Sequence, residues 1–414
     1  MRLAVYDRGS GATKVLTESF RNWVDDFAWS GDSRSIDFTG PVEGRNPIYR
    51  IGVDGGAIQQ ILTHPSIDDF EVAADGKSTL FIGRAVGAPT EIFESKGSGA
   101  ARQLTHFNDD FLKEVDVRPA ETMWVTGADG AKVQVFIVKP HDFDPAKKYP
   151  LILNVHGGPQ QQWADAFRGD WQVYPGAGYV VAFANPHGSV GFGQEYTASI
   201  SGDWGGRPFD DLMKVTDALE KLPYVDSNRM AAMGWSYGGY MMNWFEGHTD
   251  RFKAIASMMG LYDLRSFYGA TEELWFPEWD LRGTPWNSML YEKWSPSNSV
   301  KNFRTPCLVI TGERDYRVPY TQSLQMFTAL QKMNVPSRLI VYSDAGHWPS
   351  SYEMALYYTA HLEWFHKYVG GAAPPWTTEQ FLRNQVFDPE TGKRREPEQA
   401  PENPQGKPDV KPGS

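Results

Sequence analysis

The segment Met230–Trp244 reads MAAMGWSYGGYMMNW and sets Ser236 among glycines. Before it, residues 229–233 can form a short buried strand, and after it, residues 240–245 continue with apolar spacing that a helix can bury. Glycines on both sides relieve steric crowding in a tight turn. This arrangement is typical of a nucleophile elbow, the strand-to-helix turn that holds a serine hydroxyl clear of a sheet. An ordinary glycine-rich turn is the alternative interpretation.

Around this segment, the sequence from about Glu121 alternates strand-like and helix-like stretches. Helical spacing occurs in FDDLMKVTDALEKL and TQSLQMFTALQKM. The strand-like stretches begin at Lys132, Leu151, Tyr179, Arg229, Phe252, Pro306 and Arg338. Such an order implies a largely parallel sheet covered by helices. We therefore predict an α/β-hydrolase fold for residues 111–374.

The first hundred residues contain a repeat instead. VYDRGSGATKVLT from Val5, IYRIGVDGGAIQQILT from Ile48 and IFESKGSGAARQLT from Ile92 begin 43 and 44 residues apart. Short strands and turns at this period are typical of β-propeller blades, of which propellers usually have four to eight. Residues 1–110 provide about two to two and a half blades. Because an unfinished propeller edge promotes association, we expect either a homo-oligomer or a longer natural chain.

Composition restricts the classes of function. Of 414 residues, 41% are hydrophobic and 14% aromatic, which predicts a packed globular protein. A net charge of −11 disfavours nucleic acid as a partner. The single cysteine, Cys307 in TPCLVI, reads as a buried strand residue, and no cysteine or histidine pattern offers a metal site.

The hydropathy of the chain and the composition of its two ends indicate where in the cell the protein is expected. The sequence has no run of 18 apolar residues for a membrane span, and its start lacks the apolar core of a signal peptide. We expect a soluble protein, either cytoplasmic or exported if a longer natural N-terminus carries a leader. The tail, residues 375–414, is rich in proline, charge and small polar residues and is predicted to be disordered.

A nucleophilic serine needs a general base and an acid that orients the base. In a sheet of this kind the chain order is serine, acid, histidine, with the latter two on loops after later strands. His347 directly follows the strand-like RLIVY, whereas His361 and His366 fall in a helical run. Asp315, in the loop after LVITG, is the preferred acid. Asp263 also follows a strand and competes for this role.

The oxyanion of an acyl-transfer reaction needs two backbone donors, one from the residue after the nucleophile and one from a loop after an earlier strand. Tyr237 provides the first. The segment LILNVHGGP provides the second from Gly157 or Gly158, where glycines let the backbone approach a substrate. This chemistry requires neither a metal nor another cofactor.

The segments HGGP, GDWGG, GWSYGGY, GHTDRF, WSP, GERDYRVP and GHW occur in this order behind the repeats. In this the chain resembles the prolyl oligopeptidase family of serine peptidases, and most of all its bacterial dipeptidyl-peptidase V and acylaminoacyl-peptidase branch. The similarity extends over nearly all of residues 5–369. It implies the triad Ser236, Asp315 and His347 and a short peptide as substrate.

The same resemblance implies substrate contacts and reveals two departures. Arg317 matches a position that contacts a substrate carbonyl, and an apolar specificity pocket is expected from Tyr237, Val318 and some of Phe267, Trp275, Phe276 and Trp279. His187 stands where relatives usually carry arginine, which leaves the ion pair of that arginine in doubt. The propeller is also far shorter than in relatives, in which it screens substrate size and, in dipeptidyl-peptidases, provides acidic groups for the free substrate amine. Glu272 and Glu273 are candidates for that role here, although a solvated acidic pair is the simpler interpretation.

We therefore predict a serine peptidase, either a dipeptidyl-peptidase or an acylaminoacyl-peptidase or oligopeptidase. A carboxylesterase that uses the same triad is one alternative. An inactive binding protein that carries propeller repeats is another.

Overall fold

A computed structural model describes residues 1–73, 76–97 and 100–382 of the chain. Its N-terminal part contains three small antiparallel sheets, with strand orders β1-β2, β3-β4-β5-β6 and β10-β9-β8-β7. The strands are β1 (Ala4–Tyr6), β2 (Thr13–Val15), β3 (Phe27–Trp29), β4 (Ser35–Thr39), β5 (Ile48–Gly52), β6 (Gln59–Leu62), β7 (Ser66–Val72), β8 (Ser78–Ala85), β9 (Ala88–Lys96) and β10 (Arg102–Gln103).

The predicted repeat matches these strands. Each repeated segment contains an antiparallel pair, namely β1 with β2, β5 with β6, and β9 with β10. The segments between the repeats contain the pairs β3–β4 and β7–β8. Two separate apolar clusters lie in this part, one around Phe38 and Tyr49 and the other around Ile67 and Phe81. The repeat therefore corresponds to small antiparallel sheets.

Beyond the helix α1 (Asp109–Glu114), one eight-stranded sheet organises the chain, with the order β11-β12-β14-β13-β15-β16-β17-β18. Its strands are β11 (Glu121–Thr126), β12 (Lys132–Val138), β13 (Tyr149–Val155), β14 (Val180–Asn185), β15 (Val225–Trp235), β16 (Ala254–Met258), β17 (Cys307–Gly312) and β18 (Ser337–Tyr342). The strands β13 to β18 run parallel, whereas β11 and β12 pair antiparallel. The sheet is thus mixed, with the predicted parallel arrangement at its centre.

Helices cover both faces of this sheet. They are α2 (Asp170–Gly176), α3 (Gln194–Ala198), α4 (Arg207–Leu219), α5 (Tyr237–His248), α6 (Leu264–Tyr268), α7 (Trp275–Asp280), α8 (Leu290–Lys293), α9 (Thr321–Lys332), α10 (Ser351–Val369) and α11 (Thr378–Leu382), with short 3-10 helices at Ala128–Gly130 and Pro296–Asn302. Within the predicted disordered tail, residues 378–382 form α11, and residues 383–414 lie outside the described residues.

Continuous apolar runs explain why the central strands are buried on both sides. Side chains of successive strand residues point to opposite faces, so Leu151 and Leu153 enter one core cluster and Ile152 the other. The helices α4, α5 and α9 pack on the first face, and α2 and α10 on the second. Cys307 lies fully buried in β17, as predicted. Because parallel strands end at one edge, the loops after β13, β15, β17 and β18 meet there.

No helix among the described residues has both the length and the apolar character needed to cross a membrane.

Candidate active site

The turn at Ser236 has the geometry of a nucleophile elbow. β15 ends at Trp235 and α5 begins at Tyr237. Ser236 between them has φ 62° and ψ −117°, a conformation that a residue with a side chain adopts only under strain. Its N–H donates a hydrogen bond to the Met258 carbonyl, 2.9 Å away, at the end of the next strand. The elbow is therefore held by both β15 and β16.

Close backbone contacts explain two of the glycines around the serine. A Cβ on Gly234 would lie 2.4 Å from the Gly238 carbonyl oxygen. A Cβ on Gly238 would lie 2.1 Å from the Val155 carbonyl oxygen on β13. Real Cβ atoms do not approach backbone atoms so closely. These glycines let the elbow fold against itself and against the neighbouring strand.

The predicted acid and base contact each other. Asp315 follows β17 and His347 follows β18, and Asp315 Oδ2 lies 2.7 Å from His347 Nδ1. Asp315 Oδ1 accepts hydrogen bonds from the backbone N–H groups of Arg317 and Val318, at 3.0 and 2.8 Å. Since an ionised carboxylate only accepts, Nδ1 carries the proton and Nε2 is left with its lone pair. The pair has the chemistry of a general base held by its orienting acid.

The indole of Trp235 fixes the loop that carries His347. Its Nε1 donates a hydrogen bond to the His347 carbonyl, 3.1 Å away. His347 itself is 7% exposed and Asp315 1% exposed. Trp235, the residue before Ser236, thus positions the backbone of His347.

The competing acids and histidines have other partners. Asp263 caps α6 by accepting from the Ser266 N–H at 2.8 Å, and the exposed Asp344 pairs with Arg314. His361 is fully buried in α10 with Nδ1 2.7 Å from the Tyr357 carbonyl, and burial lowers its pKa to about 4. Among the described residues, His347 is therefore the only histidine after Ser236 that lies next to Asp315.

The predicted oxyanion loop lies beside the serine, because β13 and β15 are parallel neighbours in which Val155 pairs with Gly234. A Cβ on Gly157 would lie 3.2 Å from Ser236 Cβ and 3.8 Å from its Oγ. Gly158 has φ +111°, which favours glycine. Tyr237 occupies the first turn of α5, where backbone N–H groups have no acceptor within the helix. Both candidate donor segments thus flank Ser236.

His156 supports this loop. Its Nδ1 lies 2.6 Å from the Gly157 carbonyl and its Nε2 2.8 Å from Ser189 Oγ. Burial lowers the pKa of His156 to about 4, so the ring is neutral at pH 7. A neutral buried ring that bridges two loops holds the backbone of Gly157 in place.

A cavity of about 580 Å³ opens over the elbow. Ten predicted site residues line it, namely Gly157, Gly158, Ser236, Tyr237, Phe267, Trp275, Phe276, Arg317, Val318 and His347. Asp315 lies behind His347 and is buried. Trp279 is the exception, since it lies outside the lining and is 68% exposed. It follows Phe276 by three residues in the short helix α7, but its side chain points to solvent.

Arg317 occupies the cavity wall with acidic partners. Its Nη2 lies 3.7 Å from Glu272 Oε1, and its Nε 3.1 Å from Glu273 Oε1 at an angle unsuited to a hydrogen bond. The guanidinium also lies 4.9 Å from the ring centre of Trp348. The acidic pair therefore neutralises Arg317, and Glu273 reaches the cavity lining.

Sequence reasoning missed several lining residues. Trp204 and Gln160 share the buried carboxylate of Asp280, with donor–acceptor distances of 3.0 Å from Trp204 Nε1 and 3.0 Å from Gln160 Nε2. Burial raises the pKa of Asp280 to about 6. The segments GDWGG and GHW contain Trp204 and Trp348, and these motifs were the sequence signal that could have identified both residues as part of the cavity lining. Other unpredicted lining residues include Trp163, Arg168, Asp170, Trp235, Met354 and Tyr357.

His187, which departs from the family pattern, has an acidic partner. Its Nδ1 lies 2.6 Å from Asp211 Oδ2, which also accepts its backbone N–H at 2.7 Å. Asp211 Oδ1 accepts the Ala128 N–H at 2.7 Å. The buried carboxylate of Asp211 thus joins the loop after β14 to the 3-10 helix at Ala128–Gly130. His187 makes this contact at the position where relatives usually carry arginine.

The described part of the chain has no candidate metal site. Within it, no three side chains of histidine, cysteine, aspartate or glutamate lie close enough together to hold a metal ion.

Known proteins of similar sequence carry peptidase names. The chain is 36% identical over 365 residues to dipeptidyl-peptidase 5 of Schizosaccharomyces pombe, and 35% identical over 358 residues to dipeptidyl-peptidase 5 of Porphyromonas gingivalis. Each alignment covers 84% of this chain and 52% of the relative. The chain thus spans about half the length of these relatives.

Solved structures share the fold. Acylaminoacyl peptidase of Pyrococcus horikoshii superposes with a TM-score of 0.83 at 24% identity, over 92% of this chain and 61% of that one. Dipeptidyl peptidase 4 of Porphyromonas gingivalis superposes with a TM-score of 0.71 at 22% identity, over 86% of this chain and 51% of that one. Both support the α/β-hydrolase arrangement of the sheet. The model of the prolyl oligopeptidase family matches residues 152–372, more than half of the chain, which therefore belongs to that family.

Proposed function

We propose that the protein is a serine peptidase that cleaves short peptides through an acyl-enzyme. Ser236 Oγ attacks the peptide carbonyl while His347 Nε2 takes its proton, and the same proton then passes to the leaving amine as the C–N bond breaks. Water hydrolyses the acyl-enzyme by the same steps. The N–H groups of Tyr237 and of Gly157 or Gly158 stabilise the oxyanion, and Asp315 holds the imidazole tautomer. The reaction needs no cofactor.

The observation that carries this proposal is the convergence of four loops. Ser236 sits on a strained elbow, His347 and Gly157 line the same cavity, and Asp315 holds His347 Nδ1 at 2.7 Å. Proteins related to this one are named dipeptidyl-peptidases, which supports peptides as the substrate class.

The aromatic side of the cavity supports an apolar specificity pocket. Phe267 and Val318 are buried, and Phe276 packs 5.6 Å from Trp204 between ring centres. We propose that this side receives the side chain of the residue whose carbonyl is attacked. Arg317 is the proposed contact for a substrate carbonyl.

We propose further that residues 1–110 are part of a β-propeller, in front of a peptidase domain at residues 111–374. Two four-stranded antiparallel sheets in chain order support this proposal, since a propeller blade has that composition. Completion of the propeller by a second copy or by further chain is part of the same proposal.

The test uses matched X-Ala substrates that release a chromogenic amine, one with a free amino terminus and one N-acetylated. Ser236→Ala should lower turnover by roughly 10⁴-fold or more without loss of folding. Cleavage of the free-amine substrate alone would indicate a dipeptidyl-peptidase, and cleavage of the blocked one an acylaminoacyl-peptidase or oligopeptidase. Near-normal activity of Ser236→Ala would overturn the proposal.

A further inference from the structure

The cavity has two ends that lie over opposite faces of the central sheet. At one end, Phe267, Phe276 and Val318 pack with the cluster on the α5 face. At the other, Trp163 and Tyr357 pack with the cluster on the α2 and α10 face. Ser236 stands between these ends because it follows the central strand β15. A peptide that fills both ends therefore extends across the edge of the sheet.

The second end belongs to the leaving part of the substrate, an inference that rests on the proposed function. His347 must deliver its proton to the leaving amine, so the leaving group lies on the side of that imidazole. Met354 and Tyr357, which line the second end, follow His347 along the chain. Trp235 binds the His347 carbonyl and packs 5.7 Å from the Tyr357 ring. These contacts place the second end beside the base.

Arg168 supplies the positive charge at this end. Its guanidinium carbon lies 5.1 Å from the ring centre of Trp163, and its Nη2 lies 3.7 Å from Asp170 Oδ2. That distance is too long for a strong hydrogen bond. The Arg168 side chain is 50% exposed, whereas that of Asp170 is 9% exposed. Stacking on Trp163 and the ion pair with Asp170 thus orient the guanidinium. Its remaining N–H donors stay available to a ligand in the cavity.

Asp170 is a buried group that the catalytic mechanism does not use. The Tyr358 hydroxyl interacts with this carboxylate, but Oδ1 has no partner in regular hydrogen-bond geometry within the described part of the chain, and Asp170 lines the cavity. Burial raises the pKa of Asp170, and the positive charge of Arg168 beside it favours the ionised carboxylate. The arrangement therefore keeps Arg168 at the cavity wall. Arg317, the other lining arginine of the described residues, faces Glu272 and Glu273 instead.

We propose that Arg168, oriented by Trp163 and Asp170, binds the α-carboxylate of the leaving amino acid or short peptide. A guanidinium has five N–H donors in a planar fork that matches a carboxylate, and Asp170 can occupy only one edge of it. The ligand class is a short peptide with a free C-terminus close to the cleaved bond. A peptide with a C-terminal amide lacks the charge that Arg168 recognises.

The test compares a tripeptide acid with its C-terminal amide. In the unaltered protein the acid should have a kcat/KM about tenfold higher, as expected for one charge-assisted contact. Arg168→Met should bring the ratio to about one, and Arg168→Lys should restore part of it. Arg229→Met is the matched control, because Arg229 also pairs with an aspartate but lies in the N-terminal half of β15, whereas Ser236 follows the C-terminal end of that strand. This control should keep the original ratio.

Binding of the same two peptides to the Ser236→Ala protein, measured by calorimetry, gives a readout that does not require turnover. The acid should bind about tenfold more tightly than the amide, and Arg168→Met in that background should remove the difference. Equal binding of acid and amide would overturn the role of Arg168. If the unaltered protein cleaved neither peptide while the Ser236→Ala protein still bound the acid preferentially, the peptidase proposal would be overturned. The carboxylate site would then remain supported.

Discussion

At the scale of single residues, the role proposed for Asp315 is one that its amide analogue cannot fill. In Asp315→Asn, the side-chain oxygen can still accept from the N–H groups of Arg317 and Val318. Its NH₂ group then faces His347 Nδ1 and forces the proton onto Nε2. A base with that tautomer cannot accept the serine proton. We expect kcat to fall by roughly 10⁴-fold, with thermal unfolding nearly unchanged.

Asp263→Asn is the control for this substitution, because Asp263 is the competing acid and asparagine also caps helices well. Chromogenic amine release by the two variants should therefore differ by orders of magnitude. Similar losses in both would contradict the assignment of the acid.

At the scale of elements, α5 is a helix buried nearly all round, and this burial acts on Glu246. Its Oε2 accepts from the Thr305 N–H at 3.2 Å, while Oε1 has no partner among the described residues. Burial raises the pKa of Glu246 from 4.5 to about 8. Between these values the folded protein holds a proton that the unfolded chain has lost, so stability falls as pH rises through this range.

Glu246→Gln removes this titration and keeps an acceptor for Thr305. The variant should be more stable than the unaltered protein by a margin that increases by roughly 4 kcal/mol in free energy of unfolding between pH 5 and pH 9. Urea unfolding at pH 5, 7 and 9 measures the gain. Glu292→Gln, at an exposed glutamate, should show no such trend. A pH-independent gain at Glu246 would mean that the carboxyl is ionised in the folded protein.

At the scale of the whole molecule, one loop joins the N-terminal sheets to the site. Asp165 donates its N–H to the Gly44 carbonyl at 2.7 Å and accepts the Val86 N–H at 2.9 Å through Oδ1. Gln162 Oε1 accepts the Gly44 N–H at 3.1 Å. The same loop continues to Arg168. The N-terminal sheets therefore support the proposed carboxylate site through its backbone.

Asp165→Ala should weaken this support by about 1 kcal/mol, the contribution of one hydrogen bond. Hydrogen exchange of the Val86 amide should become faster, while amides of the central strands keep their protection. Asp110→Ala, at an exposed aspartate that pairs only with Lys113 among the described residues, is the matched control. Unchanged exchange at Val86 would show that the sheets are held without Asp165.

The sequence alone indicated the α/β-hydrolase sheet and the candidate triad because their signals are local. The central strands contain continuous apolar runs, and Ser236, Asp315 and His347 lie in the turns or loops that follow such runs. The chain order of a known arrangement then connects residues that are far apart in sequence. The repeat of the first hundred residues likewise appears as periodic turns.

Only the tertiary structure decided which side chains surround the serine. Trp204 and Arg168 lie in two separate loops and Tyr357 lies in α10, and their spacing along the chain does not mark them as neighbours. Trp279 shares an aromatic segment with Phe276, yet the turn of a short helix directs it to solvent. The burial of Asp170 and Glu246 is decided in the same way, because exposure depends on packing across both faces of the sheet. Local pattern determines elements, whereas the lining of a cavity depends on contacts between distant segments.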